Sequence, residues 1–341
     1  MSRIVALIVA SNSMKFLPEC LQSLDEQGPD VTALVVDNGS TDGLESYVRG
    51  HHPRAILLRN VRDLGWSRAL NQAIAFARAQ LRPESGDLFL MTVDPRLTLE
   101  PGAVGRLLSG LQSSARHGSA GAKILRAGIR GEGEFLEHEP TDIIHSAGLV
   151  LSRWRDAALR EAGQRDRDGS FTRYEEVFGI PAELALYRLT ALEAVAFGDE
   201  YFDERFGPSL AGLDLAWRLQ LKVWTAVAVR GARAYRRAPS SGRGRFAVWR
   251  ERYHLPAKMR SVERRDFLLV LAKNEQIANV LIHLPLLVLR AVAALAVIVF
   301  TDPVSLGAIP GFIVRWPAGR KRRGAALSRS VPAAAIRHRL S

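Results

Sequence analysis

A chain of 341 residues is long enough to bury a substantial core, and 47% hydrophobic residues is ordinary for a globular protein. One cysteine, Cys20, excludes an intramolecular disulfide and a thiolate-cage metal site. The net charge of +12 is uneven: residues 226–341 carry 22 Lys and Arg against 5 Asp and Glu, a local +17, while the preceding residues sum to −5. A positive tail on a slightly acidic body invites an anionic partner. No nucleic-acid recognition motif accompanies it, so an acidic lipid surface is expected and a specific nucleic acid is not.

Residues 5–10 and 33–36 read as short buried strands. The apolar run that opens the chain is too short for a signal peptide or a span. Between the strands, Leu17, Cys20, Leu21 and Leu24 recur at helical spacing. Asp37-Asn38-Gly39-Ser40-Thr41-Asp42-Gly43 is turn-rich and ends the second strand. A strand at 55–58, a helix at 67–79 and a strand at 88–93 follow. Alternation of this kind predicts a parallel, doubly wound sheet with its ligand site beyond the carboxyl ends of the strands. Asp37 and Asp94 both fall at such ends. Residues 121–172 read as irregular and polar, with a surface excursion at 160–169. Residues 183–197 read as helical, 210–221 as a helix and 224–229 as a late strand.

The pattern divides the chain into a domain at 1–230 and a basic helical extension at 231–341. Residues 240–245 form a flexible basic segment. Residues 277–300 are the most apolar, but Asn279, His283, Pro285 and Arg290 interrupt them. An interfacial or re-entrant helix is therefore expected in preference to a span, with a soluble helical core as the alternative. A second apolar patch, 304–316, leads into Arg320-Lys321-Arg322-Arg323. Apolar burial and attraction to acidic headgroups would together place the protein peripherally on the cytoplasmic face of the cell membrane.

Four constellations carry chemistry. Asp37 leaves a buried strand into Asn-Gly-Ser, where it either binds a ligand or closes an Asx-turn. Asp63-Leu64-Gly65-Trp66-Ser67-Arg68 places a tight turn before a helix, with Arg68 able to meet a diphosphate. Asp94-Pro95-Arg96 ends the central strand, where a carboxylate holds a divalent cation and an arginine neutralises phosphate directly. Asp214 and Arg218 lie four apart on one helix and are spaced to pair.

In this order the constellations resemble the inverting family 2 glycosyltransferases of GT-A fold, and within them the rhamnosyltransferase-like branch. The resemblance spans residues 4–235. It implies an α/β fold with a Rossmann-like mixed sheet flanked by helices, and a nucleotide-sugar donor contacted by Ala10, Asp37 and Asp63. It also implies Mg²⁺ or Mn²⁺ at the diphosphate and a carboxylate base that deprotonates an acceptor hydroxyl. The chain departs from the family pattern at three places. Arg96 stands where the metal-binding carboxylate belongs, leaving Asp94 as the one candidate metal ligand. Ala211-Gly212-Leu213-Asp214 stands where Glu-Asp-x-Asp supplies the base, leaving Asp214, with Glu183 as the other candidate. Arg236-Arg237 occupies the neighbourhood of a late histidine. Two readings follow. One is a transferase, metal-independent or only weakly metal-dependent, that extends a lipid-linked or cell-surface glycan from dTDP-rhamnose or a UDP-sugar. The other is an inactive homologue that binds a nucleotide sugar, a glycan or a partner glycosyltransferase at the membrane.

Overall fold

The computed structural model describes residues 3–130, 137–166, 174–237, 256–328 and 330–340. The segment expected at 240–245, and part of the excursion at 160–169, lie outside them. Strands β1 (Arg3–Ala10), β2 (Val31–Asn38), β3 (Ile56–Asn60) and β4 (Leu88–Val93) are linked by helices α1 (Leu17–Asp25), α2 (Leu44–His51) and α3 (Trp66–Gln80). They pair in parallel in the order β3-β2-β1-β4. Every residue of β1 from Ile4 to Ala10 is buried, because helices cover both faces of the sheet. Alternation divides that strand cleanly. Val5, Leu7 and Val9 join Ala69, Leu70, Ala73 and Ile74 of α3 in one core, while Ile4, Ala6, Ile8 and Ala10 join Leu17, Cys20, Leu21 and Leu24 of α1 in the other.

The rest of the sheet is mixed. After β5 (Leu97–Leu99) and α4 (Ala103–Gln112), the long strands β6 (His117–Arg130) and β7 (Glu137–Ser146) pair antiparallel. They replace the irregular region expected from sequence. Gly118, Gly121 and alanines give β6 little strand signal, yet that smallness is what its packing needs. A Cβ on Gly121 would lie 2.3 Å from Ile180 Cγ2. Strands β8 (Leu149–Leu151) and β9 (Ala157–Leu159) form a separate hairpin, and β10 (Tyr174–Val177) closes the sheet edge.

Residues 183–197 are not one helix. They form β11 (Leu184–Arg188), antiparallel to β4, followed by α5 (Leu189–Val195). A continuous apolar run buried on both faces carries no helical period to distinguish the two states. Helix α6 (Pro208–Leu221) leads into β12 (Thr225–Arg237), which crosses the boundary placed at residue 230 and pairs with β5 through Ala234, Tyr235 and Arg236. The sheet is thus the flanked mixed α/β sheet that the resemblance implies.

The C-terminal helices are α7 (Ala257–Asn274), α8 (Ile277–Ile282), α9 (Leu284–Thr301), α10 (Ala308–Leu327) and α11 (Ala333–Arg337), with a 3₁₀ turn at Pro303–Gly307. Helix α7 packs against α6 and α10. The contact is tied by buried charge: Lys273 reaches Asp203 at 2.8 Å and Asp214 at 2.5 Å.

Candidate functional site

The carboxyl ends of β1, β2 and β4 meet on one edge of the sheet. Ala10 and Asp37 are register partners there. Asp37 is buried, and its Oδ1 accepts a 2.8 Å hydrogen bond from the Ser40 amide, three residues on and so one beyond an Asx-turn, which closes the loop locally. Its Oδ2 lies 3.8 Å from Arg59. Gly39, at φ +78°, lets the next loop come close: a Cβ there would sit 2.7 Å from Arg62 C and Asp63 N. Asn38 stitches the two loops, donating to Asp63 Oδ1 at 2.6 Å and accepting from Asn60 and the Leu64 amide. Asp63 Oδ1 also caps the Gly65 amide. Asn12, at φ +47°, accepts from the Thr41 amide at 3.0 Å and fixes the loop after β1 against the loop after β2. Arg68 is exposed at the start of α3, 4.0 Å from Glu204.

At the end of β4, Arg96 folds back on Asp94. Its Nε donates to Asp94 Oδ1 at 2.8 Å, its Nη2 to Oδ2 at 2.6 Å, and its amide to Oδ1 at 2.9 Å. This is a fork-on-carboxylate pair. Asp94 and Arg96 thus hold each other. Burial pushes the Asp94 carboxyl up, but the bonds from Arg96 outweigh it, and the group ends below the ordinary aspartate range.

Glu183 sits beside this pair, its carbonyl accepting from the Asp94 amide at 2.8 Å. Its carboxylate lies 3.1 Å from His145 Nε2 on β7 and 3.3 Å from Arg236 Nε on β12. Burial raises its carboxyl, and His145 and Arg236 draw it back below the usual glutamate range. It is therefore ionised at neutral pH. His145 and Arg236 had no role in the sequence reading. Only the antiparallel pairing of β7 and the end of β12 brings them to Glu183, and no local spacing encodes that meeting. Arg237, the next residue, turns inward, donating to the Phe16 carbonyl and pairing with Glu19.

Residues 5–195 match the family model described as glycosyl transferase family 2. The chain belongs to that family. Among solved structures, this family 2 chain is similar to TarS 1–349 of S. aureus, at 15% identity and TM-score 0.52, over 96% of this chain and 88% of that one. It is similar to the mannosyltransferase PcManGT of Pyrobaculum calidifontis in complex with GDP-Man and Mn²⁺, at 16% identity and TM-score 0.50, covering 96% and 85%. It is also similar to GalNAc-T7 with UDP, GalNAc and Mn²⁺, at 13% identity and TM-score 0.55. There it covers 80% of this chain and spans about half, 48%, of the other. At these identities the likeness shows the shared GT-A fold. No curated protein sequence matches the chain.

In a family 2 chain a divalent ion at the diphosphate is the expectation to test. Here Asp94, the proposed ligand, has both oxygens held in the fork of Arg96. Any metal would have to displace a guanidinium and then sit beside it. Among the described residues no group of three or more His, Cys, Asp or Glu side chains is arranged to hold a metal. Asp94, engaged by Arg96, is a poorer ligand for the ion than a free carboxylate.

The structure gives Asp214 a packing role in place of a base. It is fully buried, bonded to Arg218 at 2.9 Å and to Asn274 at 2.8 Å, and paired with Lys273. An acceptor hydroxyl cannot reach a carboxylate so enclosed. The neighbouring position is closed as well: a Cβ on Gly212 would lie 2.9 Å from Ala182 Cβ and 3.1 Å from its amide. Residue 182 precedes Glu183, so the space beside Gly212 is filled by the segment that delivers Glu183.

Proposed function

We propose that this family 2 chain transfers a glycosyl group, with inversion, from a nucleotide-activated sugar to a hydroxyl of a lipid-linked or cell-surface glycan, without a divalent metal. The observation that carries the reading is the Asp94–Arg96 pair with Glu183 beside it, at the same sheet edge as the stitched loops that follow Ala10, Asp37 and Asn60. Related structures contain UDP, UDP-GlcNAc or GDP-Man. The donor here is a UDP-sugar, or dTDP-rhamnose as the resemblance to the rhamnosyltransferase-like branch suggests.

Arg96 is 40% exposed along its side chain, and its outer Nη1 is not used by Asp94. It offers those donor hydrogens to the diphosphate, with Arg236 as a neighbouring cation. Because Asp94 fixes the fork, little rotamer freedom is lost when phosphate binds. Glu183 takes the proton of the acceptor hydroxyl. The freed oxygen pair attacks the anomeric carbon, and the bond from that carbon to the diphosphate oxygen breaks with its electrons on the leaving group. His145 and Arg236 keep Glu183 ionised for that step.

The test is release of nucleoside diphosphate from UDP-GlcNAc, UDP-glucose, GDP-mannose and dTDP-rhamnose, with and without glycan acceptors. Glu183→Gln should lower turnover by roughly 10²–10⁴ while leaving donor binding within a few fold. Turnover unchanged in that variant would remove Glu183 from the chemistry. The closed Gly212 position and the locked Asp214 favour a second reading, a non-catalytic homologue that binds nucleotide sugar, glycan or a partner glycosyltransferase. Donor binding without turnover on any acceptor would support it.

A further inference from the structure

Helix α9 is apolar apart from Arg290 and the terminal Thr301, with a mean hydropathy of 2.4 over its 18 residues, yet none of its residues is buried. A helix apolar on every side belongs in a core or in lipid, and this one is in no core. Exposed apolar side chains continue on both sides of it, from Ile277 and Leu281 on α8 to Val304, Ile309, Ile313 and Val314 beyond it. Water alone is a poor solvent for so continuous a patch.

Three tethers fix how α9 lies. At its start, Arg155 donates to His283 Nδ1 at 3.1 Å and also pairs with Glu275, just past the end of α7. At its middle, Arg290 bonds Asp156 at 2.8 Å and stacks its guanidinium 5.7 Å from the Phe267 ring, in the middle of α7. At its end, Asp302 pairs with Arg260 at 2.9 Å and Arg264 at 3.3 Å, in the first turns of α7. Helix α9 therefore runs antiparallel along α7 and cannot stand away from the body. Val288, Val292, Leu295 and Val299 recur at i, i+4, i+7 and i+11, within about 40° of the line opposite Arg290. All four are exposed.

We infer that α9, with the exposed apolar edges of α8 and α10, lies flat in one leaflet of an anionic lipid bilayer. Arg290 faces the protein and the Val288–Val299 stripe faces the acyl chains. A spanning arrangement would carry the Arg290–Asp156 ion pair into hydrocarbon, where no water solvates it. Exposed positive charge on α10, from Arg315, Arg320 and Lys321, favours anionic headgroups. Arg322 and Arg323 are not part of that contact. Arg322 pairs with Glu200 and Asp203, and Arg323 donates to the Ala272 carbonyl. This inference stands independently of the transfer reaction.

The experiment is co-flotation of the full chain with phosphatidylcholine vesicles, with and without phosphatidylglycerol. It is combined with dye labels at Leu284→Cys, Val292→Cys and Phe300→Cys, since native Cys20 is buried. The chain should float with anionic vesicles, and all three labels should be quenched to similar extents by quenchers carried in the outer leaflet alone. Arg320→Glu with Lys321→Glu should cut the floating fraction at least threefold at low salt, as should Val292→Asp with Leu295→Asp, each checked for an unchanged melting curve. Three results would overturn the inference. One is a chain that stays dense with every vesicle. Another is a lipid-free dimer that shields the Val292→Cys label. The third is quenching of Leu284→Cys and Phe300→Cys from opposite leaflets, which marks a span.

Discussion

Asp94 is where two opposing influences on one carboxyl can be separated by experiment. Burial raises it and the fork of Arg96 lowers it further. A depressed carboxyl contributes stability that is present above its unfolded pKa, about 3.9, and is lost as pH falls through the lower folded value. Arg96→Leu should therefore cost about 1 kcal/mol at neutral pH, a modest figure because Arg96 is partly solvated. It should also flatten the acid limb of the stability profile, read by urea melts at a series of pH values. The same sign holds for Glu183. Its carboxyl lies below the ordinary range, so turnover should stay level through neutral pH and fall only in acid. His145→Gln should move that acid limb upward, because it removes one of the groups that hold Glu183 ionised. An unmoved limb would mean that His145 does not act on the base. These positions were unequally legible. Asp37, Asp63 and Asp94 could be placed from local turn and strand chemistry. The saturation of Asp94 by Arg96 could not, since alternate residues at a strand end either pair or diverge according to side-chain rotamer.

Among the elements, the loops after β2 and β3 and the contact between α6 and α7 carry the sharpest consequences. Gly39→Ala forces a Cβ against the backbone of Arg62 and Asp63 at a positive φ. It should cost roughly 1–3 kcal/mol of stability. It should also weaken nucleotide binding, since the two loops part; calorimetry on the folded fraction checks the second effect. Lys273 is pushed below the ordinary lysine value by burial despite its two carboxylate partners. Removing it with Lys273→Met leaves Asp203 and Asp214 with a lost buried partner each, and should cost about 3 kcal/mol in denaturant unfolding. Helices α1 and α3 were readable because their apolar residues keep one face, whereas α6 is buried on every side from Ala211 to Leu221. Strands β6 and β11 were not: β6 is built of glycine and alanine for close packing, and β11 belongs to an apolar run buried on both faces. The boundary at residue 230 failed for a related reason, because charge composition changes inside β12 while the hydrogen-bonded ladder continues.

At the scale of the whole molecule, the +17 of the C-terminal region is smaller in effect than in count. Arg260, Arg264, Arg290 and Arg322 all meet carboxylates of the protein. Arg260 and Arg264 tie α7 to Asp302 at the end of α9, while Arg290 and Arg322 fasten the helices to Asp156, Glu200 and Asp203 of the sheet domain, so the region that composition set apart is packed into the same body. The proposed nucleotide site at one sheet edge and the proposed lipid-facing helices on the same body would bring the donor and a membrane-borne acceptor together. The claim on which this depends is that arginine, in place of metal, meets the diphosphate. Titration of UDP, dTDP and GDP into the intact protein by calorimetry, once with EDTA and once with Mn²⁺ or Mg²⁺, tests it most directly. At least one nucleotide should bind, with affinities that differ by less than about threefold between the two conditions, a coupling below roughly 1 kcal/mol. Arg96→Asp should weaken metal-free binding and make metal strengthen it. A gain of about tenfold or more on adding metal to the unaltered protein, roughly 1.4 kcal/mol, would contradict the account, as would no binding of any of the three.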